Sequence, residues 1–297
     1  MGTELQIGRR TVAISHPDKV LFPEANVTKL DLARHYEAVA PAMIPYVKER
    51  PLALQAFPNG IEHHGFFMKA VPDYFPDWID RVTVPKKGGT VTHALANDAA
   101  TLVYLAGQNV VTPHTWLSRA DDPRKPDRLI IDFDPSPGGR FADVRAAARE
   151  AGRRLQDAGL ATYAMVTGSR GVHVVCPLTR SPSFTDVHRF ARALSEEMVA
   201  DSPSKLTLEW KKADRGKKIY VDVNRIAYAQ HAVAPYGVRP RPKAPTAMPI
   251  HWDELGDARL KPDRWTVKSA AARLSEAGDP WKGMMRRARR LPKPARA

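Results

Sequence analysis

Two hydrophobic periods alternate through the middle of the chain. Leu129-Ile130-Ile131-Asp132-Phe133-Asp134 begins as an apolar run and ends in strict alternation, which predicts a strand over 129–134. From Phe141 to Gly159, Val144, Ala148, Ala151, Leu155 and Ala158 share one face and Arg and Glu the other, which predicts an amphipathic helix. Thr162–Val166 and Val172–Cys176 read as strands on either side of the turn Gly168-Ser169-Arg170-Gly171. Ser183 and Asp186 form a capping-box pattern before a helix that reaches Val199. Ile219–Val223 predicts a last strand after the turn Asp214-Arg215-Gly216, and Leu206–Trp210 an extra one. The order is β-α-β-β-α-β, the ferredoxin-like or split βαβ arrangement, in which the first strand is central between the third and the fourth.

The flanks are less regular. Up to Trp116 the chain is rich in Pro and aromatics. Thr28 can cap a helix over Lys29–Ala40, which Pro41 and Pro45 would interrupt, and Asn97 or Asp98 can cap another through Leu102, Leu105 and Ala106. Ser118–Asp127 is polar and contains two prolines, as a connecting loop does. Met285–Ala297 holds Arg286, Arg287, Arg289, Arg290, Lys293 and Arg296 and no acid, and reads as a solvated, partly disordered basic tail.

Charge changes the picture from a generic globular protein to a partner of polyanions. The 297 residues contain 46 Lys and Arg against 32 Asp and Glu, for a net +14. Nucleic acid is the first candidate partner and an acidic membrane surface the second. No apolar run reaches the roughly 18–20 residues that span a bilayer, and Met1–Arg10 lacks a signal core, so the expected setting is cytoplasmic. The single cysteine, Cys176, lies in the apolar run Val-His-Val-Val-Cys-Pro and reads as a buried inert thiol.

Side chains alternate along a strand, so Asp132 and Asp134 face one side. Either they lie on a solvated face, paired with some of the many arginines, or they hold a divalent cation such as Mg²⁺ or Mn²⁺. A third acid favours the cation: Asp222 is a lone carboxylate in the last strand, which the ferredoxin-like order sets beside the first. Three carboxylates can hold two metals about 3.5–4 Å apart, as in-line phosphoryl transfer requires. Thr167-Gly168-Ser169-Arg170-Gly171-Val172-His173 is either an ordinary hairpin turn or a phosphate cradle with two hydroxyls, and His173 starts the strand expected beside the aspartates. Between Lys205 and Lys243, ten Lys or Arg against three acids bracket Asp222, as suits a polyphosphate substrate. Phe66 and Phe67, after His63 and His64 and before Lys69, suit base stacking with a phosphate contact, or else they are core, at least one of them.

Together these residues resemble the polymerase domain of bacterial DNA ligase D, a member of the archaeo-eukaryotic primase superfamily that serves non-homologous end joining. The likeness spans about 12–274. It rests on His16-Pro17-Asp18-Lys19-Val20-Leu21-Phe22-Pro23, Thr28-Lys29, Arg50-Pro51, Pro58-Asn59-Gly60 and Gly65-Phe66-Phe67-Met68-Lys69. It continues through His114-Thr115-Trp116, Arg128 to Pro135, Thr167 to His173, Val221-Asp222 and Ala234-Pro235-Tyr236-Gly237-Val238-Arg239. The resemblance implies an α+β, primase-like fold with an RRM-like βαββαβ catalytic sheet and an N-terminal α/β lobe. It implies one domain, with 1–127 as the lobe, 128–250 as the catalytic core and 251–297 as a C-terminal segment.

The resemblance also implies roles. Asp132, Asp134 and Asp222 would bind two Mn²⁺ or Mg²⁺ ions. Thr167, Ser169, Arg170, His173 and Arg239 would hold the incoming NTP or dNTP, with ribonucleotides preferred, and His114 would line the nucleotide site. His16, Lys19 and Lys29 would receive the 5′-phosphate at a DNA gap or break. Phe66 and Phe67 would stack on the template and on the templating or incoming base, with Lys69 beside them. Ku and a separate DNA ligase would be partners of a nucleoid-associated bacterial protein. Thr167 and Arg170 stand where the family often has Ser and Lys, and His16 where it often has Asn. No Lys-x-Asp-Gly ligase motif occurs, which suits a stand-alone polymerase or an excised domain. Two other readings stay open: a metal-dependent nuclease, and a non-catalytic module that bridges DNA ends.

Overall fold

The structure, a computed structural model, describes residues 2–292, so Lys293 and Arg296 of the basic tail lie outside the described residues. The chain divides into two compact units whose segments interleave. The first comprises the chain up to Asp121, with His231–Met248 and Trp265–Asp279. The second comprises Asp122–Gln230, Pro249–Arg264 and the chain from Pro280 onward.

The second unit carries a six-stranded sheet in the order Leu206–Thr207, Ile219–Asp222, Arg128–Pro135, Val172–Pro177, Tyr163–Val166, Met248–Ile250. Its four inner strands have the expected order, with the first strand between the third and the fourth, and all three inner pairings are antiparallel. The extra strand is shorter than expected, Leu206–Thr207, and runs parallel to Ile219–Asp222 at the edge. The helices Phe141–Asp157 and Phe184–Asp201 pack on the sheet. Val144, Ala148, Ala151 and Leu155 of the apolar stripe read from its period are all 0% exposed on the first, but the helix ends at Asp157 and Ala158, also expected on that face, is exposed at its C-cap. Ser183 and Asp186 close the capping box of the second in both directions. Cys176 is buried, and desolvation raises its thiol pKa, as suits an inert core residue. Short strands at Ser118–Arg119 and Asp122–Pro126 replace the expected loop. The described part of the basic tail is more ordered than expected: Met284–Arg287 is a 3₁₀ turn, and Arg289 exchanges backbone hydrogen bonds with Pro177 and Thr179.

The first unit holds a four-stranded sheet in the order His231–Val233, Val110–Trp116, Leu52–Ala56, Phe66–Met68. Every residue of Val110–Trp116 is buried, so this strand shows no polar alternation. The capped helix does not stop at Ala40 but runs from Lys29 to Val47 through Pro41 and Pro45. Each internal proline costs about 3 kcal/mol in a helix. Beyond Pro41, Met43, Tyr46 and Val47 are buried against that cost, at about 1.5–3 kcal/mol for each large apolar side chain. Packing therefore outweighs local propensity. Asp98, rather than Asn97, caps the Ala99–Gly107 helix, accepting from Thr101 N–H at 2.7 Å.

Candidate active site

Cross-strand register assembles the acids. Asp132 pairs with Asp222 on one side and with His173 on the other, so the three lie in one row on one face. Asp134 is two positions along the same strand, opposite Tyr220. The alternate residues Ile131, Phe133 and Val221 are completely buried on the other face. The pleat alone thus separates the charges from the core.

The row is electrostatically strained. Burial raises the pKa of Asp134 and of Asp222, and the Asp132 charge raises each further. Polar neighbours answer this locally. The Arg170 guanidinium donates to both Asp134 oxygens at 3.0 and 3.2 Å. Arg225 Nε stands 3.5 Å from Asp222 Oδ2, and His173 Nε2 3.5 Å from Asp132 Oδ2. Asp222 Oδ1 accepts from the Asn224 N–H at 2.8 Å and from the Tyr220 hydroxyl at 3.3 Å. Arg215 donates to the Glu209 and Trp210 carbonyls and lies 3.7 Å over the Tyr220 ring.

Among the described residues, no three His, Cys, Asp or Glu side chains form a ready-made metal cage. The Asp134 and Asp222 carboxylates are instead drawn to arginines. The donor set nevertheless fits a hard divalent cation: three carboxylates within one row and its neighbour, two of them pushed toward protonation by burial and then by the charge of the third.

The Thr167–Gly171 turn is built by its own backbone. Thr167 N–H donates to Gly171 O at 3.0 Å, and Gly171 N–H donates to Thr167 Oγ1 at 3.1 Å. A Cβ on Gly171 would lie 2.4 Å from the Phe133 carbonyl oxygen and 3.3 Å from Asp132 Oδ1, so only glycine lets the turn lie against the acid strand. Ser169 and Arg170 sit at the partly open end of this turn.

The remaining candidate residues lie in the first unit. Phe66 and Phe67 are both about half exposed, so neither is core as one reading expected. They occupy an edge strand and, as neighbours, face opposite sides of the sheet. Phe67 meets His114 at 5.2 Å and His231 at 5.3 Å between ring centroids. Phe66 is turned away from that group, and Lys69 is exposed. Arg239 follows Tyr236, a fully buried residue with φ of 65°. That strained turn is held from both sides. His35 Nε2 bonds the Tyr236 carbonyl at 2.9 Å, and the Tyr236 hydroxyl donates to Asp279 at 2.7 Å.

Lys19 and Lys29 adjoin, because the Lys29 N–H donates to the Lys19 carbonyl at 2.8 Å. Lys29 Nζ donates to Ser15 O at 2.8 Å, and Lys19 Nζ to Pro58 O. Burial, and then the Lys19 charge, lower the Lys29 pKa. The backbone amides at the start of this helix are already used. Lys29, Leu30 and Asp31 N–H donate to Lys19 O, Pro17 O and Thr28 Oγ1. Of the groups that Lys19 and Lys29 bring, the ammonium groups remain to receive an anion. His16, at φ of 49°, is exposed beside them.

Sequence reading missed Tyr220, Asn224, Arg225, Arg215 and His231 as site residues. Tyr220 and Arg225 lie two before and three after Asp222, close enough to have been found by asking what would hold that carboxylate.

An antiparallel βαββαβ sheet with carboxylates along one open face is the architecture of a primase-type nucleotidyltransferase. The comparisons with known proteins agree. Residues 28–281 match the family described as LigD, primase-polymerase domain. The multifunctional non-homologous end joining protein LigD of Mycolicibacterium smegmatis is 30% identical over 270 residues, 90% of this chain and 35% of that protein. The bifunctional non-homologous end joining protein LigD of Bacillus subtilis is 26% identical over 265 residues, 89% of this chain and 42% of that protein. A solved structure of the polymerase domain from Mycobacterium tuberculosis ligase D in complex with DNA matches with a TM-score of 0.88 at 28% identity. That match covers 93% of this chain and 99% of the other. The chain belongs to the LigD primase-polymerase domain family, a nucleotidyltransferase domain, and spans about 35–42% of the length of those two curated relatives. Among the described residues no helix is long and apolar enough to cross a membrane.

Proposed function

We propose that the chain is a template-directed primase-polymerase that fills gaps and extends 3′ ends at DNA breaks during non-homologous end joining. The observation that carries this reading is the register that sets Asp222 opposite Asp132, with Asp134 on the same face. Asp132, Asp134 and Asp222 would hold divalent cations, Mn²⁺ or Mg²⁺, two of them in a complete site. When bound, these supply charge neutralisation at the reacting phosphate and orient the attacking 3′-hydroxyl.

The chain's own residues do the rest. Ser169, Thr167 and His173 would bind the triphosphate of the incoming NTP or dNTP. Arg170 would exchange its carboxylate partner for phosphate oxygens, since guanidinium binds both in the same forked geometry. In the first unit, His114 would line the nucleotide site and Arg239 would add a further cation to the triphosphate. Phe67 has its ring company and exposure in favour of stacking on a base; Phe66 and Lys69 would contact DNA from the other side of their strand. Lys19, Lys29 and His16 would receive the downstream 5′-phosphate. Ribonucleotides are the preferred substrate in this reading, Ku and a separate ligase are the partners, and the place of action is the nucleoid.

The test is incubation of the protein with a labelled gapped duplex, Mn²⁺ and NTPs. Extension supports the polymerase reading. Shortening would identify a nuclease, and a gel shift without chemistry an end-bridging module. A preference for dNTPs over NTPs in competition would remove the sugar assignment alone.

A further inference from the structure

The second unit has a cleft of about 440 Å³ that the acid row does not use, with Thr162, Tyr163, His251, Trp252, Arg287 and Arg289 in its walls. No residue lining it is acidic. It lies toward the other end of the catalytic sheet. Arg289 N–H donates to the carbonyl of Pro177, four residues along the strand from His173, which shares the acid row. At about 3.3 Å per residue the separation is about 13 Å.

The cleft is built from held parts. Trp252 donates from Nε1 to the Thr162 carbonyl at 3.0 Å. Its ring lies so close to Gly152 that a Cβ there would stand 2.4 Å from the nearest ring carbon, so the ring is seated on the helix while remaining partly exposed. The backbone of Arg289 is stitched to Pro177 and Thr179. The Arg287 and Arg289 side chains are exposed, and among the described residues neither pairs with a carboxylate.

We propose that this cleft is a second nucleic-acid site that takes one nucleotide of a single strand, with its base against Trp252 and its flanking phosphates on Arg287 and Arg289. The volume falls within the range of small-ligand pockets, about 300–1,000 Å³. An aromatic face beside two guanidiniums is the combination that binds single strands without reading sequence. Two guanidiniums in a lining with no acid favour an anion over a neutral ligand. Nucleic acid is favoured over an acidic peptide by the aromatic platform, which a run of carboxylates would leave unused. The assignment uses no residue of the acid row and does not depend on polymerase activity.

The test uses the full chain without divalent metal and a deoxythymidine hexamer carrying one 5-iodouracil. Photo-crosslinking followed by peptide mapping should give adducts on Trp252 or Tyr163. The affinity of the hexamer, followed against salt, should show a log–log slope smaller by about 1.4 in Arg287→Ala/Arg289→Ala, from two phosphate contacts at about 0.7 each. Both arginines are exposed, so the variant should keep the wild-type melting temperature, which is measured alongside. Adducts only on other segments, with an unchanged slope, would overturn the proposal. So would an octaglutamate peptide whose binding is lost in the variant while the hexamer binds as before, because that result makes the cleft a site for acidic protein segments.

Discussion

The acid row of the second unit and the lysine pair of the first are opposite in sign and alike in predicament. In each, burial and a like charge push a group toward its neutral form: Asp134 and Asp222 upward, Lys29 downward. They differ in what relieves them. Asp134 and Asp222 have charged partners in Arg170 and Arg225. Lys19 and Lys29 are held by the neutral carbonyls of Pro58 and Ser15, and among the described residues neither has a carboxylate partner. In the proposed reading, a cation taken up at the row would displace an arginine, which would then be free for a phosphate. An anion arriving at the lysines displaces nothing charged. Like-charge clusters are costly to fold, and the kind of partner that relieves them marks whether a site exchanges ions or simply receives one.

The largest expected effect breaks the first half of this comparison. Asp132→Ala or Asp134→Ala should reduce nucleotide addition by at least about 10³-fold, about 4 kcal/mol of transition-state stabilisation, while affinity for gapped DNA stays within a few-fold. Extension kinetics and binding by anisotropy check both parts. Wild-type extension in either variant would remove these carboxylates from the chemistry.

Next in size is a control in which burial acts without a like-charged neighbour. Burial is the largest cause that lowers the His35 pKa, to about 4, against 6.5 when unfolded. A depressed histidine leaves the unfolded state with more bound protons as pH falls, so stability should drop between pH 6.5 and 4 and level off below. The shift corresponds to a loss of about 3 kcal/mol. Denaturant unfolding of wild type and His35→Gln across this window should show that extra loss in wild type only. Parallel curves would mean His35 titrates normally.

A smaller effect tests the lysine half. Lys19→Ala with Lys29→Ala should weaken binding to a gapped duplex with a 5′-phosphate by about tenfold more than to one with a 5′-hydroxyl, at one fixed salt concentration. Equal loss on both duplexes would reduce the lysines to general electrostatic attraction.

The smallest effect sharpens the claim that the row is strained. Asp222→Asn keeps an acceptor for the Asn224 N–H and removes one of the mutually repelling charges. It should raise the metal-free melting temperature by about 2 °C, from about 1 kcal/mol. A lower melting temperature would show that Arg225 more than compensates for the repulsion.

Legibility followed the range of the interaction that decided each feature. The Asp132-Phe133-Asp134 pair, the helix from Phe141 and the Ser183 capping box depend on neighbours within a few residues, and all were readable. Asp222 was reachable only through the topological rule that seats the last strand beside the first, and the register then put it directly opposite Asp132. Arg215, seven residues before Asp222, was not readable, because a basic stretch does not say which cation folds back, whereas Tyr220 and Arg225 lie within three residues of Asp222 and were within reach of asking what holds that carboxylate. The prolines at 41 and 45 misled, since local propensity predicts a stop where tertiary burial of Met43, Tyr46 and Val47 carries the helix on. The chain likewise does not reveal that Lys19 and Pro17 fold back to accept from the amides at the start of the Lys29 helix.

Side-chain periodicity and covalent order therefore determined, from the amino acids alone, that this is an α+β chain with two aspartates on one face of a strand and an excess of cations for a polyanionic partner. The tertiary structure decided which cation balances which acid, that Phe66 and Phe67 face opposite ways on an edge strand, and that Arg287 and Arg289 line a cleft with Trp252. Apart from the local Asp222–Arg225 pair, those outcomes rest on contacts between residues far apart in the chain, whose energies appear only when the backbone has brought them together.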